Sequence, residues 1–196
     1  MKIRKDALKR STIMQKRNRS IRKLAITGIM TALGYVLMLF QLPLPFMPAF
    51  IQLDFSDLPA LLTAFACGPL WGVAVSFLKN LLHLLNSATL GIGELSNFII
   101  AAVFVLTAGL IYQKNKTKKG ALAASLAGAL ASGVLCVFPN YFLIYPLYFK
   151  FLMPEQAILG MYQEKLSLVN SIFLCLVIFN LPFTFFKELL VAVICF

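Results

Sequence analysis

Long apolar stretches with almost no basic residues constrain this chain more than any other feature. From Leu24 to Gln113 the only basic residue is Lys79, whereas ten of the eighteen lysines and arginines precede Leu24 and four more lie in 114–119. Basic residues concentrate at the cytoplasmic ends of membrane-spanning helices. The pattern therefore predicts an integral membrane protein with a basic cytoplasmic N-terminal segment, 1–23, and a single membrane domain, 24–196.

Composition supports the same class and argues against a soluble protein. Hydrophobic residues make up 60% of the chain and charged residues only 13%, whereas soluble domains carry about 25% charged residues. The net charge of +11 is confined to the cytoplasmic segments and comes with no base-reading motif, so the expected partner is the lipid bilayer and not nucleic acid. We expect a multi-pass protein of the cell membrane, namely the plasma membrane of a bacterium.

Apolar runs separated by Pro, Gly and basic breaks predict an all-α bundle of six transmembrane helices with a cytoplasmic N-terminus. The expected bounds are approximately 24–41, 56–67, 69–86, 93–112, 119–149 and 182–196. For the last helix two interpretations compete: one long kinked helix from 167, or a helix that begins at Pro182. The second places proline in a first turn, where helices tolerate it, and we favour it.

Enzyme chemistry finds no support in the sequence. There is no GxxxxGK[ST] loop, no GxSxG elbow, no HExxH pair and no carboxylate cluster, which are the local patterns of common catalytic sites. The four cysteines lie in or beside apolar runs without CxxC spacing. We therefore predict no enzyme, no cofactor and no metal site.

The helix predicted over 69–86 carries a polar stripe on an otherwise apolar surface. Ser76, Lys79, Asn80, His83 and Asn86 share one face at about 100° per residue. A lysine in hydrocarbon is costly and generally lines a polar site. The stripe therefore requires a partner or a ligand.

Further polar residues fall at the same predicted depth, in the outer half of the bundle. Two lysines against one acid at that depth suggest a ligand rich in hydrogen-bond acceptors, bound in one pocket. Glu94 also has a simpler interpretation, as an acid at a helix start. The residues that share this depth are Lys79, Asn80, His83, Glu94, Asn97, Asn140, Thr184 and Lys187.

A proline-rich loop follows the first helix and is predicted to lie outside. Pro43, Pro45 and Pro48 forbid helix there, while Leu42 and Phe46 make the loop apolar. It could close over a ligand or dip into the headgroup region. Phe46, Tyr141, Phe183 and Phe186 could face a flat aromatic group, whereas Tyr145 and Tyr148 fit an interfacial aromatic belt.

The first helix carries small residues at helical spacing. Gly28 and Ala32 form a small-xxx-small pair flanked by Ala25 and Thr31, which allows another helix to approach closely in lipid. From spacing alone, the pair could pack inside this bundle or against a partner protein.

Four sequence blocks resemble the riboflavin-binding S component of energy-coupling factor (ECF) vitamin transporters. They are LDFSDLPALLTAFACGPLWGVAVSFLKNLLHLL from Leu53, GIGELSNF from Gly91, PNYFLIYPLY from Pro139 and LPFTFFKELL from Leu181. The resemblance covers nearly all of 24–190. It implies a six-helix protein that binds riboflavin as substrate near the outer surface, and that works with a transmembrane T component and two cytoplasmic ATPases.

The resemblance also implies particular residues. The pocket asparagine of family helix five corresponds to Asn140, and the family pattern PFNLLKG aligns with 182–188, so Lys187 is retained while Thr184 and Glu188 replace the family asparagine and glycine. The small-residue motif of helix one is implied to dock onto the T component, here through Ala25, Gly28, Thr31 and Ala32. The expected substrate-binding residues are Leu42, Phe46, Lys79, Glu94, Asn97, Asn140, Tyr141, Thr184 and Lys187.

The mechanism implied by the resemblance is capture, docking and reorientation. The isoalloxazine ring would lie among Leu, Phe and Tyr side chains, with ribityl hydroxyls bonded to polar residues and loop 42–50 closed above. An S component for thiamine, folate or pantothenate, or a stand-alone facilitator, remains the alternative.

Overall fold

The computed structural model describes residues 2–195, and the side chains of 17–195, as a helical protein. Helices account for 78% of the chain. We number the helices of the described part in chain order: α1 Lys2–Leu39, α2 Asp57–Cys67, α3 Pro69–His83, α4 Ile92–Lys114, α5 Lys118–Phe151, α6 Glu155–Gln163 and α7 Ile172–Ile194. Between α1 and α2, strands β1 (Leu42–Pro43) and β2 (Gln52–Leu53) pair antiparallel.

Four of the described helices are long and apolar enough to cross a bilayer. They are Arg17–Leu39 within α1, α4, α5 and α7. The other two apolar helices, α2 and α3, are shorter and form a tight hairpin. Gly68 makes the turn with φ of 114°, a backbone conformation that glycine adopts without steric cost, and Pro69 then begins α3.

Small residues let α2, α3 and α4 pack closely at the centre of the bundle. A Cβ added at Gly72 would lie 2.7 Å from the carbonyl oxygen of Ala60, and one at Gly109 would lie 2.8 Å from Pro69. Close backbone approach of this kind is the usual basis of helix association in lipid. The buried cluster around this contact comprises Ala60, Leu61, Ala64, Val75, Phe104, Val105, Ala108, Ala129 and Val191.

Both α5 and α7 contain a π-helical turn in their outer parts. The turns are Asn140–Ile144 in α5 and Leu176–Asn180 in α7. The helical backbone is continuous from Ile172 to Ile194, and the α-helical part after the π turn, Leu181–Ile194, has Pro182 in its first turn. The interpretation with a new helix at Pro182 is corrected by this continuity.

One face of α1 packs into the bundle while the other lies outside it. Thr27, Thr31 and Gly34 are buried, whereas Ala25, Gly28 and Ala32 are exposed. A Cβ added at Gly28 would meet nothing within 4 Å, while one at Gly34 would lie 3.3 Å from the Ser56 carbonyl oxygen. Gly34 thus serves internal packing, and the Gly28–Ala32 pair does not.

Candidate binding cavity

A cavity of about 440 Å³ lies at the ends of the helices that meet near the β1–β2 loop. Its walls come from that loop, from the end of α1 and from α3 to α7. Drug-sized and cofactor-sized ligands bind in cavities of roughly 300–1,000 Å³. Its polar lining residues include Gln41, Gln52, Asp54, His83, Asn86, Thr89, Glu94, Ser96, Asn97, Asn140, Asn180, Thr184 and Lys187.

Lys187 of α7 is the centre of a buried ion cluster on one wall. Its ammonium Nζ lies 3.0 Å from Asp54 Oδ2 and 3.0 Å from Asp57 Oδ2. It also donates to Asn97 Oδ1 at 3.3 Å. Two of its three N–H donors are therefore hydrogen-bonded to protein acceptors, at Asp54 and Asn97, and the contact with Asp57 is an ion pair.

Asp54 lies between β2 and α2 and holds the loop against α7. Its Oδ1 accepts hydrogen bonds from the backbone N–H of Ser56 at 2.8 Å and from the Ser56 hydroxyl. Burial favours the neutral acid, but the ammonium groups of Lys187 and Lys79 outweigh it and hold the pKa of Asp54 below its ordinary value. Asp54 is therefore a carboxylate at neutral pH.

Lys79 is buried inside the protein and does not line the cavity. It is fully buried, and its Nζ lies 2.6 Å from Asp57 Oδ1 and donates to the Ser56 hydroxyl. Charges placed in a low-dielectric interior need such partners. Lys79, on the predicted polar stripe, therefore forms its ion pair within the protein, with Asp57 at the start of α2.

Glu94, at the start of α4, is held by three residues: the last residue of α3 and two residues of the connection between α3 and α4. His83 Nδ1 lies 2.9 Å from Glu94 Oε1, and the hydroxyls of Ser87 and Thr89 donate to Oε2 at 2.8 and 3.2 Å. His83 and Glu94 both line the cavity. This pair therefore adds further polar groups to the cavity lining.

Asn140 opens the π turn of α5 and points its amide at the cavity. Its Oδ1 accepts a hydrogen bond from the Ser96 hydroxyl at 2.7 Å, which leaves the amide N–H groups for a ligand. Thr184 of α7 lines the same space, one helical turn before Lys187.

Aromatic side chains form the remaining wall. Phe50 from the loop lies with its ring centroid 5.8 Å from that of Tyr148, and Tyr145 and Phe183 also line the cavity. Tyr145 and Tyr148 are only 2% and 6% exposed. They are therefore buried cavity residues, and their assignment to an interfacial belt is wrong.

The structure brings together five of the nine predicted binding residues. Glu94, Asn97, Asn140, Thr184 and Lys187 line the cavity. The other four lie elsewhere: Leu42 and Phe46 are 52% and 57% exposed on the loop, Tyr141 is 39% exposed, and Lys79 is buried in its ion pair.

Several lining residues were not in the predicted set. Two of them could have been identified from the sequence. Phe50 follows the loop prolines, and Asn180 lies four residues before Thr184 on the same helix face. Ser96 and Tyr145 also line the cavity. Within the described residues, no group of three His, Cys, Asp or Glu side chains could hold a metal ion.

Comparisons with known proteins agree on the family. The family described as "ECF transporter, substrate-specific component" matches residues 22–196. The chain is 30% identical over 173 residues to riboflavin transporter RibU of Staphylococcus aureus, covering 88% of this chain and 86% of that protein. It is 31% identical over 177 residues to riboflavin transporter FmnP of Bacillus subtilis, covering 89% and 88%.

A solved structure shares the fold. It is described as the structure and mechanism of the S component of a bacterial ECF transporter. The TM-score is 0.72 at 28% identity, over 90% of this chain and 92% of that one. With the family match across most of the chain, this makes the protein a transport component and not an enzyme. The chain belongs to the family of substrate-specific components of ECF transporters.

Proposed function

We propose that this chain captures riboflavin from outside the cell and delivers it for uptake. The observation that carries the proposal is one cavity lined both by amide and hydroxyl groups and by aromatic rings. Riboflavin has the matching shape, because a flat tricyclic ring is joined to a chain of hydroxyls. The relatives named riboflavin transporters support the same ligand.

The aromatic wall of Phe50, Tyr145, Tyr148 and Phe183 would hold the isoalloxazine ring, since stacked and edge-on aromatic contacts favour flat rings. Asn140, Thr184 and Glu94 would bond the polar atoms of the ligand. Lys187 has a different part in this proposal. Because its ammonium is held by hydrogen bonds to Asp54 and Asn97 and by an ion pair with Asp57, its main part here is to order the polar wall.

The same proposal includes six crossings of the bacterial plasma membrane. The four long helices together with α2 and α3 supply six apolar segments. The basic residues before Leu24 and at 114–119 favour a cytoplasmic N-terminus by the positive-inside rule. The cavity would then open outward, with the β1–β2 loop above it as a lid.

Transport would require partners, since the sequence has no nucleotide site. We propose a T component and two cytoplasmic ATPases, with docking through the exposed small residues Ala25, Gly28 and Ala32. Thr31, also expected to take part, is buried in the bundle and is not in that exposed surface.

Ligand titration of the purified full chain tests the proposal. Riboflavin fluorescence is expected to be quenched on binding, with saturation at one ligand per chain, while thiamine, folate and pantothenate give no competition. Competition by one of these vitamins without riboflavin binding would reassign the substrate. Uptake by vesicles that contain this chain alone would instead favour a stand-alone facilitator.

A further inference from the structure

A closed ring of hydrogen bonds at one end of the cavity involves two tyrosines and one asparagine. Tyr145 and Tyr162 are hydrogen-bonded through their hydroxyls. Tyr162 donates to Asn180 Oδ1 at 2.7 Å, and Asn180 Nδ2 donates to the Tyr145 hydroxyl at 3.3 Å. The three side chains come from α5, α6 and α7, so the ring ties together three separate helices.

Counting the protons in the ring shows which hydrogen-bond donor it leaves unused. Each hydroxyl has one proton, so Tyr145 donates to Tyr162, Tyr162 to Asn180, and Asn180 to Tyr145. One amide N–H of Asn180 remains, and no acceptor for it lies among the residues that the structure describes. If the amide oxygen and nitrogen of Asn180 are exchanged, the ring runs in the opposite direction and again uses one amide N–H and leaves the other.

Tyr162, one member of this ring, is closely packed and stays protonated. Tyr162 is fully buried, with its ring centroid 6.0 Å from Phe50 and 5.2 Å from Phe179. Burial, together with the nearby Tyr145, raises the pKa of Tyr162 well above its ordinary value. Its hydroxyl therefore remains a donor over the physiological pH range.

The backbone aims the asparagine at the cavity. Asn180 is the last residue of the π turn Leu176–Asn180, and it lines the same cavity as Asn140, the first residue of the other π turn. Single π turns are frequent at functional sites, because they change the direction in which side chains point. Asn180 is one turn before Thr184 on the same helix.

We propose that Asn180 is a ligand-contacting residue, held by Tyr145 and Tyr162 so that its remaining amide N–H donates to an acceptor oxygen or nitrogen of the bound flavin. This inference rests on the proposed function, and it adds a contact residue together with Tyr162 as its positioning residue. Tyr162 does not line the cavity, so its effect on binding passes through Asn180.

Riboflavin titration of four full-length variants tests the inference. Asn180→Ala is expected to raise the Kd about tenfold, as for loss of one buried hydrogen bond. Tyr162→Phe is expected to raise it about threefold by freeing the amide. The double variant is expected to match Asn180→Ala alone, since effects within one network are not additive. Ile178→Ala is the control, because Ile178 lies in the same π turn but is 40% exposed and outside the cavity lining.

The outcomes separate the two proposals. If the unaltered chain does not bind riboflavin, the proposed function fails. If it binds and Asn180→Ala stays within twofold of it, the inference about Asn180 is overturned while the function stands. Additive losses in the double variant would show that Tyr162 acts through folding and not through Asn180. Should Asn180→Ala fail to fold, an unchanged Kd in Tyr162→Phe would overturn the inference.

Discussion

Lys187 determines the electrostatics of the cavity wall more than any other residue. It neutralises Asp54 and Asp57 together with Lys79, so two acids and two lysines balance in the buried cluster. The residue faces the cavity, and its ammonium is held there by Asp54, Asp57 and Asn97. A buried cation of this kind shapes a site by holding other groups in place.

Replacing Lys187 by Met is expected to lower stability and riboflavin affinity together. Removing one partner from a buried ion pair leaves an uncompensated charge, which costs about 3–5 kcal/mol. The measurements are the melting temperature in detergent and the riboflavin Kd. Lys150→Met serves as control, because Lys150 is exposed; equal effects in both variants would contradict the assignment.

Glu188 is a second residue whose surroundings are unusual. It is fully buried, and neither carboxyl oxygen has a hydrogen-bond partner in the described part of the chain. The lysines nearby are already balanced by Asp54 and Asp57, so Glu188 has no cation of its own.

We therefore expect Glu188→Gln to melt at or above the temperature of the unaltered protein. Glutamine keeps the volume and removes a carboxyl group that is costly to bury unpaired. Glu188→Ala is expected to lower the melting temperature, because it leaves a cavity. A large drop in the glutamine variant would show that the carboxyl group itself stabilises the fold.

At the scale of helices, the sequence predicts a helix end well where glycine, proline or basic residues mark it. It does not predict the π turns inside helices. Gly68-Pro69 marks the α2–α3 turn plainly, whereas the π turns have no sequence signature, and the one before Pro182 hides the continuity of α7. Asn140, Thr184 and Lys187, which the family resemblance implies, line the cavity. Lys79 was misplaced since periodicity cannot show that Asp57 reaches it, and Tyr145 because aromatic residues serve lipid interfaces and cavities alike.

Two glycines on α1 allow docking to be separated from folding. Gly28→Leu is expected to leave riboflavin binding within twofold and to abolish uptake, because a Cβ there meets nothing within the protein but would keep a partner helix at a distance. Uptake in cells that express the full transporter and Kd of the purified chain are the two measurements.

Gly34→Leu is the matched comparison on the opposite face of the same helix. A side chain there would press on the Ser56 carbonyl and Lys79, so overpacking is expected to lower the melting temperature and weaken binding as well as uptake. If Gly28→Leu also loses binding, the exposed face contributes to the fold and not to docking.

At the scale of the whole molecule, the proposed orientation places loop 42–50 outside and the 114–119 hinge inside. Phe46→Cys is expected to react with a membrane-impermeant maleimide on intact cells, because Phe46 is 57% exposed. Lys116→Cys is expected to react only after permeabilisation. The unaltered chain supplies the background of its own four cysteines, and the reverse labelling pattern would invert the topology.

The ion cluster also bears on how the protein is made. Asp54 and Lys187 are 133 residues apart in the chain, so the ribosome synthesises the two carboxylates long before the second lysine. Until α7 is made, Lys79 alone would face both acids. We therefore expect the charges of the early helices to be balanced only when α7 is present, so that chains truncated before α7 are degraded faster than the full chain.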